Sequence, residues 1–113
     1  MDAKKLNKTF KYYNDLFIQD PELAKIYNTV TFENLFHPDF LKEHSKWTSM
    51  DDMIWRSGFG IMNLMEVENV DMEKWNEYVR ANTDEVETWY DFGKLALIEW
   101  MKAKLEENKK SKN

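Results

Sequence analysis

The chain offers few side chains suited to chemistry, and its two histidines are the first candidates. His37 and His44 are seven positions apart, with Asp39 and Glu43 beside them. Neither histidine belongs to an H-E-x-x-H or a paired E-x-x-H arrangement, which would place metal ligands on one helix face. We therefore interpret His37 as a helix cap and His44 as a solvent-facing residue, and we predict no metal site.

Catalytic arrangements are also missing from the sequence. There is no cysteine, no serine lies in a G-x-S-x-G turn, and the pair Gly58 and Gly60 lacks the third glycine or lysine of a phosphate-binding loop. Acid–base catalysis needs two groups with separated pKa values, and none of the 21 acidic residues is marked as buried. Asp52 and Asp91 fit better as helix caps. We predict no enzymatic activity, no catalytic residue and no cofactor.

Length and composition predict one soluble domain. The chain has 113 residues, 17 of them aromatic, and a chain of this size buries roughly two thirds of its unfolded surface. No stretch approaches the ~20 apolar residues of a membrane span, and the N-terminus lacks the apolar segment of a secretory signal. We expect a cytoplasmic protein without membrane association. A single helical domain is predicted over residues 1–107, followed by a frayed basic tail over 108–113.

Apolar residues recur at helical spacing along nearly the whole chain. Leu6, Phe10, Tyr13 and Phe17 are separated by four, three and four positions, which predicts a first helix over residues 3–18. Further helix starts are indicated by side chains that can accept hydrogen bonds from free first-turn amides: Asp20, His37, Ser49, Asp71 and Thr88.

These starts predict an all-α fold of five to six helices. Ser49 with Asp52, and Thr88 with Asp91, match the capping pattern of a hydroxyl followed three positions later by a carboxylate. The last helix, over residues 89–107, carries apolar residues around more than half of its surface and should be the central element. The predicted architecture is a compact helical bundle around it.

The segment over residues 58–70 has no clear period. Gly58 and Gly60 are available for left-handed turns that end the preceding helix. Phe59, Met62 and Met65 would share one side of a short helix, which we prefer over a strand because two-residue alternation fits less well.

Two stretches of sequence are alike at an offset of 38 to 39 positions. Residues 40–53 and 78–92 each read as a helix end, a loop with an apolar residue (Trp47 or Val86) and a hydroxyl-capped new helix. This pattern indicates a duplicated helix-loop-helix corner. The alternative is that any two helix-to-helix corners select similar caps.

The residues at these corners resemble those of short, acidic, uncharacterised archaeal proteins. The resemblance covers roughly residues 36–100 and lies in cap and core positions such as Asp39-Phe40-Leu41, Thr48-Ser49-Met50-Asp51-Asp52-Met53, Ser57-Gly58-Phe59, Glu73-Lys74-Trp75, Tyr78-Val79, Asn82-Thr83 and Thr88-Trp89. It implies a fold and no activity.

Charge is distributed unevenly along the chain. Residues 1–19 carry four Lys and two Asp (+2), residues 20–99 carry seven basic and 17 acidic residues (−10), and residues 100–113 carry five Lys and two Glu (+3), giving the net charge of −5. A body at −10 repels phosphate, so we predict that it does not bind nucleic acid. The terminal lysines either converge into a basic patch or are simply solvated.

A subset of aromatic and methionine side chains does not fit the core pattern. Trp47, Trp75, Trp89 and Trp100 are at core positions, whereas five side chains are not accounted for: Tyr12, Trp55, Phe59, Met62 and Met65. Arg56 lies beside Trp55 in the sequence and is included with them. We expect them to form an exposed patch that binds a protein partner or a second copy of the chain, with an acidic rim selecting a basic partner.

Two other functions also fit the sequence. The first is an acidic inhibitor or nucleic-acid mimic that occupies the basic groove of another protein. The second is a helical bundle that encloses an apolar ligand between Trp and Met side chains.

Overall fold

The structure is a computed structural model that describes residues 3–111, with side chains through Lys109. Seven α-helices occur in this range: α1 (Ala3–Gln19), α2 (Pro21–Tyr27), α3 (Phe32–Leu35), α4 (Pro38–His44), α5 (Met50–Ser57), α6 (Met72–Asn82) and α7 (Trp89–Ser111). A 3₁₀ helix spans Leu64–Asn69. The described residues contain no strand, which confirms the all-α class, and the eight helical segments exceed the predicted five to six.

Every predicted helix start carries the hydrogen bond that its sequence implies. The five capping side chains accept from backbone amides two or three positions ahead at 2.9–3.2 Å: Asp20, His37, Ser49, Asp71 and Thr88. At α5 the carboxylate of the predicted capping pair accepts from a different amide than the capping pattern implies. Asp52 Oδ2 accepts from the amide of Thr48 at 3.0 Å, one residue before Ser49. The cap therefore also fixes the chain as it enters the helix.

Two short helical segments account for the higher count. In α3, the Thr31 hydroxyl accepts from the amide of Asn34 at 3.2 Å, and the Asn34 side chain accepts from the amide of Thr31 at 3.1 Å. Asn63 and Glu66 make the equivalent reciprocal caps on the 3₁₀ helix. Each segment is too short to show a hydrophobic period in the sequence, so its reciprocal caps are the local signal that marks it.

The hydrophobic core surrounds the first half of α7. Its fully buried members include Trp47, Trp75 and Phe92, as the sequence predicts for the two tryptophans. A second cluster, built from Phe17, Leu23, Trp100 and Met101, continues the core toward the C-terminal half of the helix. These two clusters make α7 the central helix of the bundle.

Helices α1 and α7 run side by side in the same direction. Asn7 contacts Lys94 near the start of both helices, and Phe17 contacts Trp100 about two to three turns later. Helix α7 continues to Ser111, four residues beyond the predicted end at Glu107. Within the predicted tail 108–113 the described backbone is therefore helical, and Lys112 and Asn113 lie outside the described residues.

The two similar corners share their local geometry. After α4, the hydroxyl of Ser45 donates to the Leu41 carbonyl at 2.6 Å, and after α6 the hydroxyl of Thr83 donates to the Val79 carbonyl at 3.0 Å. Trp47 and Val86 are buried in the two loops, as predicted. The corners also touch, because the amide of Lys46 donates to the Asn82 carbonyl at 2.9 Å.

A titratable cap stabilises the start of α5. The amide of Thr48 is the main reason why the pKa of Asp52 lies below its usual value of 3.8, and Arg56, 3.4 Å from the carboxylate, adds to the effect against the opposing influence of burial. The folded-state pKa is thus lower than the unfolded one. The ionised carboxylate stabilises the fold above the unfolded pKa, and this contribution is lost as the pH falls through the folded-state pKa.

We expect Asp52→Asn to lower the free energy of unfolding at pH 7 by about 0.5–1 kcal/mol, the size of an exposed capping interaction. The deficit should shrink as the pH falls from the unfolded-state pKa of 3.8 through the lower folded-state pKa, below which the wild-type carboxyl is neutral too. Urea unfolding of wild type and Asp52→Asn at a series of pH values from 7 downward measures this deficit. Asp51→Asn, at the neighbouring exposed carboxylate, is the control. An equal deficit at every pH would show that the charge of Asp52 is not involved.

Candidate functional site

His37 is the N-cap residue of α4. His37 Nδ1 accepts from the amide of Asp39 at 3.2 Å, which confirms the predicted capping role. Among residues 3–109, no group of three or more His, Asp or Glu side chains is arranged to hold a metal ion.

The prediction that His44 faces solvent is wrong. Its side chain is only 11% exposed, Nδ1 lies 2.8 Å from Glu85 Oε1, and the ring packs on Phe40 at 4.7 Å. Glu85 is 41 positions away in sequence, so no local pattern indicates the pair. The contact joins the end of α4 to the loop before α7 and is structural.

The most exposed apolar side chains converge on one surface. Trp55 is 87% exposed, Met62 82% and Met65 73%. We call this surface the methionine face and define it by six residues that line two adjoining grooves: Phe32, Met50, Ile54, Trp55, Met62 and Met65. Exposed apolar side chains usually occur singly on a monomer, so a contiguous group indicates an interaction surface.

Two grooves give the methionine face its shape. One, of about 410 Å³, lies between Trp55 and Met62 along the end of α5. The other, of about 390 Å³, lies between Phe32, Met50 and Met65. Ile54 and Met62 line both grooves, so the two grooves adjoin.

The turn after α5 orients the methionines outward. Gly58 and Gly60 both adopt left-handed backbone angles, with φ of 71° and 73°, as predicted for the end of the helix. The Glu66 carboxylate then accepts from the amides of Met62 and Asn63, which begins the 3₁₀ helix. Leu64 and Val67 of this helix are buried, and Met65 consequently points to solvent.

Three of the predicted site residues lie elsewhere. Phe59 packs in the core against Trp75, with ring centroids 5.8 Å apart, so the predicted side shared with Met62 and Met65 is wrong. The reason is that residues 58–63 form a turn instead of a helix. Arg56 follows Trp55 but donates to Asp52 and to the Lys46 carbonyl. Tyr12 is 61% exposed on α1 and lines neither groove.

Phe32, Met50 and Ile54 belong to the face but were not predicted from the sequence. Phe32 is brought there by the one-turn helix α3, and Met50 and Ile54 lie on one side of α5. In the sequence, only the i, i+4 spacing of Met50 and Ile54 indicates a shared side of a helix. The same spacing is equally typical of a stripe that faces the core. Tertiary packing decides which side is open.

The rim of the methionine face is acidic. Glu33 and Asp51, both exposed, line the groove that contains Met65, and no Lys or Arg is among the described residues lining either groove. The adjacent Arg56 guanidinium pairs with Asp52. The face therefore combines apolar contact area with a negative local potential, which favours a basic partner.

The remaining charged surfaces are separate. A groove of about 350 Å³ is lined by Asp84, Glu85, Glu87 and Asp91 at the start of α7. On α7 itself, Lys102 lies about 12 Å beyond Lys94 along the helix axis.

Comparison with protein-family models gave no match, and comparisons with curated proteins and with solved structures gave none either. The resemblance to acidic archaeal proteins therefore stays a prediction. None of the helices described between residues 3 and 111 has the length and apolarity needed to cross a bilayer.

Proposed function

We propose that the protein is a small, non-enzymatic, cytoplasmic binding module that docks a basic amphipathic segment of another protein on its methionine face. The observation that carries this proposal is the convergence of Trp55, Met62 and Met65 on one grooved surface with carboxylates at its edge. Amphipathic helices bind hydrophobic grooves through apolar side chains at i, i+3, i+4 and i+7 spacing.

The residue types suit this role. Tryptophan is enriched among the residues that contribute most to binding energy at protein interfaces. Methionine side chains are unbranched and polarisable, so Met62 and Met65 can adapt to the shape of an incoming apolar side chain. Glu33 and Asp51 would meet the Lys or Arg residues that flank the apolar side of such a segment.

A second copy of this chain fits the methionine face less well than a different protein. In a two-fold symmetric dimer the same patch meets itself, so Glu33 and Asp51 of both copies would approach one another. Like charges across an interface disfavour association. Light scattering after size-exclusion chromatography should therefore report a monomer.

Affinity capture from the native host tests the proposal with two matched variants. Met62→Ser with Met65→Ser removes apolar surface from the methionine face. Tyr12→Ser with Ile18→Ser removes exposed apolar surface from α1, where both residues are 60–61% exposed. We expect the same protein to be retained by wild type and by the α1 variant and lost with the face variant. Retention by the face variant, or loss with the α1 variant, would contradict the assignment of the site.

An acidic inhibitor or nucleic-acid mimic is the second candidate, favoured by the four carboxylates of the groove at the start of α7. Binding through those carboxylates would weaken strongly as the salt concentration rises. Binding through the methionine face should weaken only modestly, because most of its contact is apolar. The salt dependence of the captured complex separates these two functions.

A further inference from the structure

A third apolar groove lies on the other side of α3, between α1 and α7. Its volume is about 330 Å³, and its walls are mainly aromatic and aliphatic: Phe10, Leu35, Phe36, Trp89, Tyr90 and Leu97. This volume is at the lower end of the range for small-molecule sites. Phe32 lies at its border with the methionine face and lines grooves on both sides.

One residue that lines this groove is a glycine that the fold does not require. Gly93 is inside α7, has no positive φ, and a Cβ added to it would meet no protein atom within 4 Å. Glycine is a poorer helix former than alanine because it loses more backbone entropy on folding. Neither backbone geometry nor packing therefore accounts for Gly93. Its effect is to leave the groove deeper.

One cation, Lys94, is among the described residues that line the groove. Lys94 Nζ donates to the side-chain oxygen of Asn7 and lies over the rings of Tyr90 and Phe10, at 4.4 and 5.8 Å from their centroids. No ion pair joins it to a carboxylate among residues 3–109. An ammonium group held against aromatic rings beside an apolar groove attracts an anion with an apolar body.

We propose that this groove binds an amphiphilic monocarboxylate, with its aliphatic or aromatic body between α1, α3 and α7 and its carboxylate on Lys94. The amide nitrogen of Asn7 can donate a second hydrogen bond to the same carboxylate. One cation balances one negative charge, and the strongly acidic body disfavours a phosphate dianion. This site does not depend on the proposed protein-binding function.

Decanoate and its neutral analogue 1-decanol, both below their aggregation concentrations, test the site by isothermal titration calorimetry. We expect wild type to bind decanoate about tenfold or more tightly than decanol, because only the anion pairs with Lys94. Lys94→Met should remove this preference and retain decanol binding. Lys102→Met, on the same helix but away from the groove, should leave both affinities unchanged.

Gly93→Leu and Gly93→Ala complete the test. Leucine at this position should fill the groove and abolish binding of both probes, while thermal unfolding shows that the variant is folded. Alanine should raise the melting temperature and weaken binding less. The proposal would be overturned if wild type bound neither probe, or bound both with equal affinity. It would also be overturned if Lys94→Met kept the preference for decanoate, or if Gly93→Leu bound the probes as tightly as wild type.

Discussion

Replacing Trp55 by alanine is expected to weaken partner binding about thirtyfold or more, while the free energy of unfolding stays within about 0.5 kcal/mol of wild type. The indole is 87% exposed, so its removal leaves no cavity in the core. When a partner docks, the same indole would lose its contact with water and supply a large apolar contact area. A tryptophan at the centre of an interface typically contributes 2 kcal/mol or more, which corresponds to this change in affinity.

The measurement is the dissociation constant of the captured complex, with urea unfolding of each free variant as the stability check. Tyr12→Ala is the matched control, since Tyr12 is an exposed aromatic residue of α1 that lines neither groove of the methionine face. Equal affinity for wild type and Trp55→Ala would remove Trp55 from the site. A large loss of stability in Trp55→Ala would instead mean that the indole supports the fold.

Replacing Trp47 by alanine should have the opposite profile, lowering the free energy of unfolding by about 3–5 kcal/mol. The indole is fully buried between the corner after α4 and the ring of Phe92. Its Nε1 donates to the Tyr78 hydroxyl at 2.9 Å, and that hydroxyl donates to the Met53 carbonyl at 2.6 Å. The substitution therefore creates a large cavity and also leaves the acceptor side of Tyr78 without its donor.

Urea unfolding of Trp47→Ala, Trp47→Phe and Tyr78→Phe separates the two contributions. Trp47→Phe keeps much of the ring volume and removes the indole donor, so it should be intermediate. Tyr78→Phe removes only the hydroxyl and should lose about 1–2 kcal/mol. A Trp47→Ala variant with near wild-type stability would contradict the packing described for this corner.

Much of the helical framework was predictable because its signals are local. The caps at Asp20, His37, Ser49, Asp71 and Thr88 depend on atoms two or three residues apart, and all five hydrogen bonds are present. The long C-terminal helix was predictable from its density of apolar residues. The one-turn helix α3 was not, since a segment of four residues carries no period.

The candidate site was only partly predictable because exposure is decided by packing between distant segments. The sequence alone indicates that Trp55 lies outside the core, since three consecutive apolar residues of α5 cannot all face inward. Phe59 could not be separated from Met62 in the same way. The left-handed turns at Gly58 and Gly60 send its ring toward Trp75 and leave Met62 in solvent. The contribution of Phe32 likewise depends on how α3 packs against α7.

The emission of Trp55 offers the most direct test of the methionine face as a docking site for a basic segment. Trp47, Trp75 and Trp100 are buried and Trp89 is half-buried, so a change in tryptophan environment on binding reports mainly on Trp55. The probe is a synthetic basic amphipathic helical peptide, compared with an acidic peptide that has the same apolar residues. We predict a shift to shorter wavelength with the basic peptide, a weaker response to the acidic one, and no shift in Trp55→Phe. No shift in wild type, an equal response to both peptides, or a shift that persists in Trp55→Phe would contradict the proposed function.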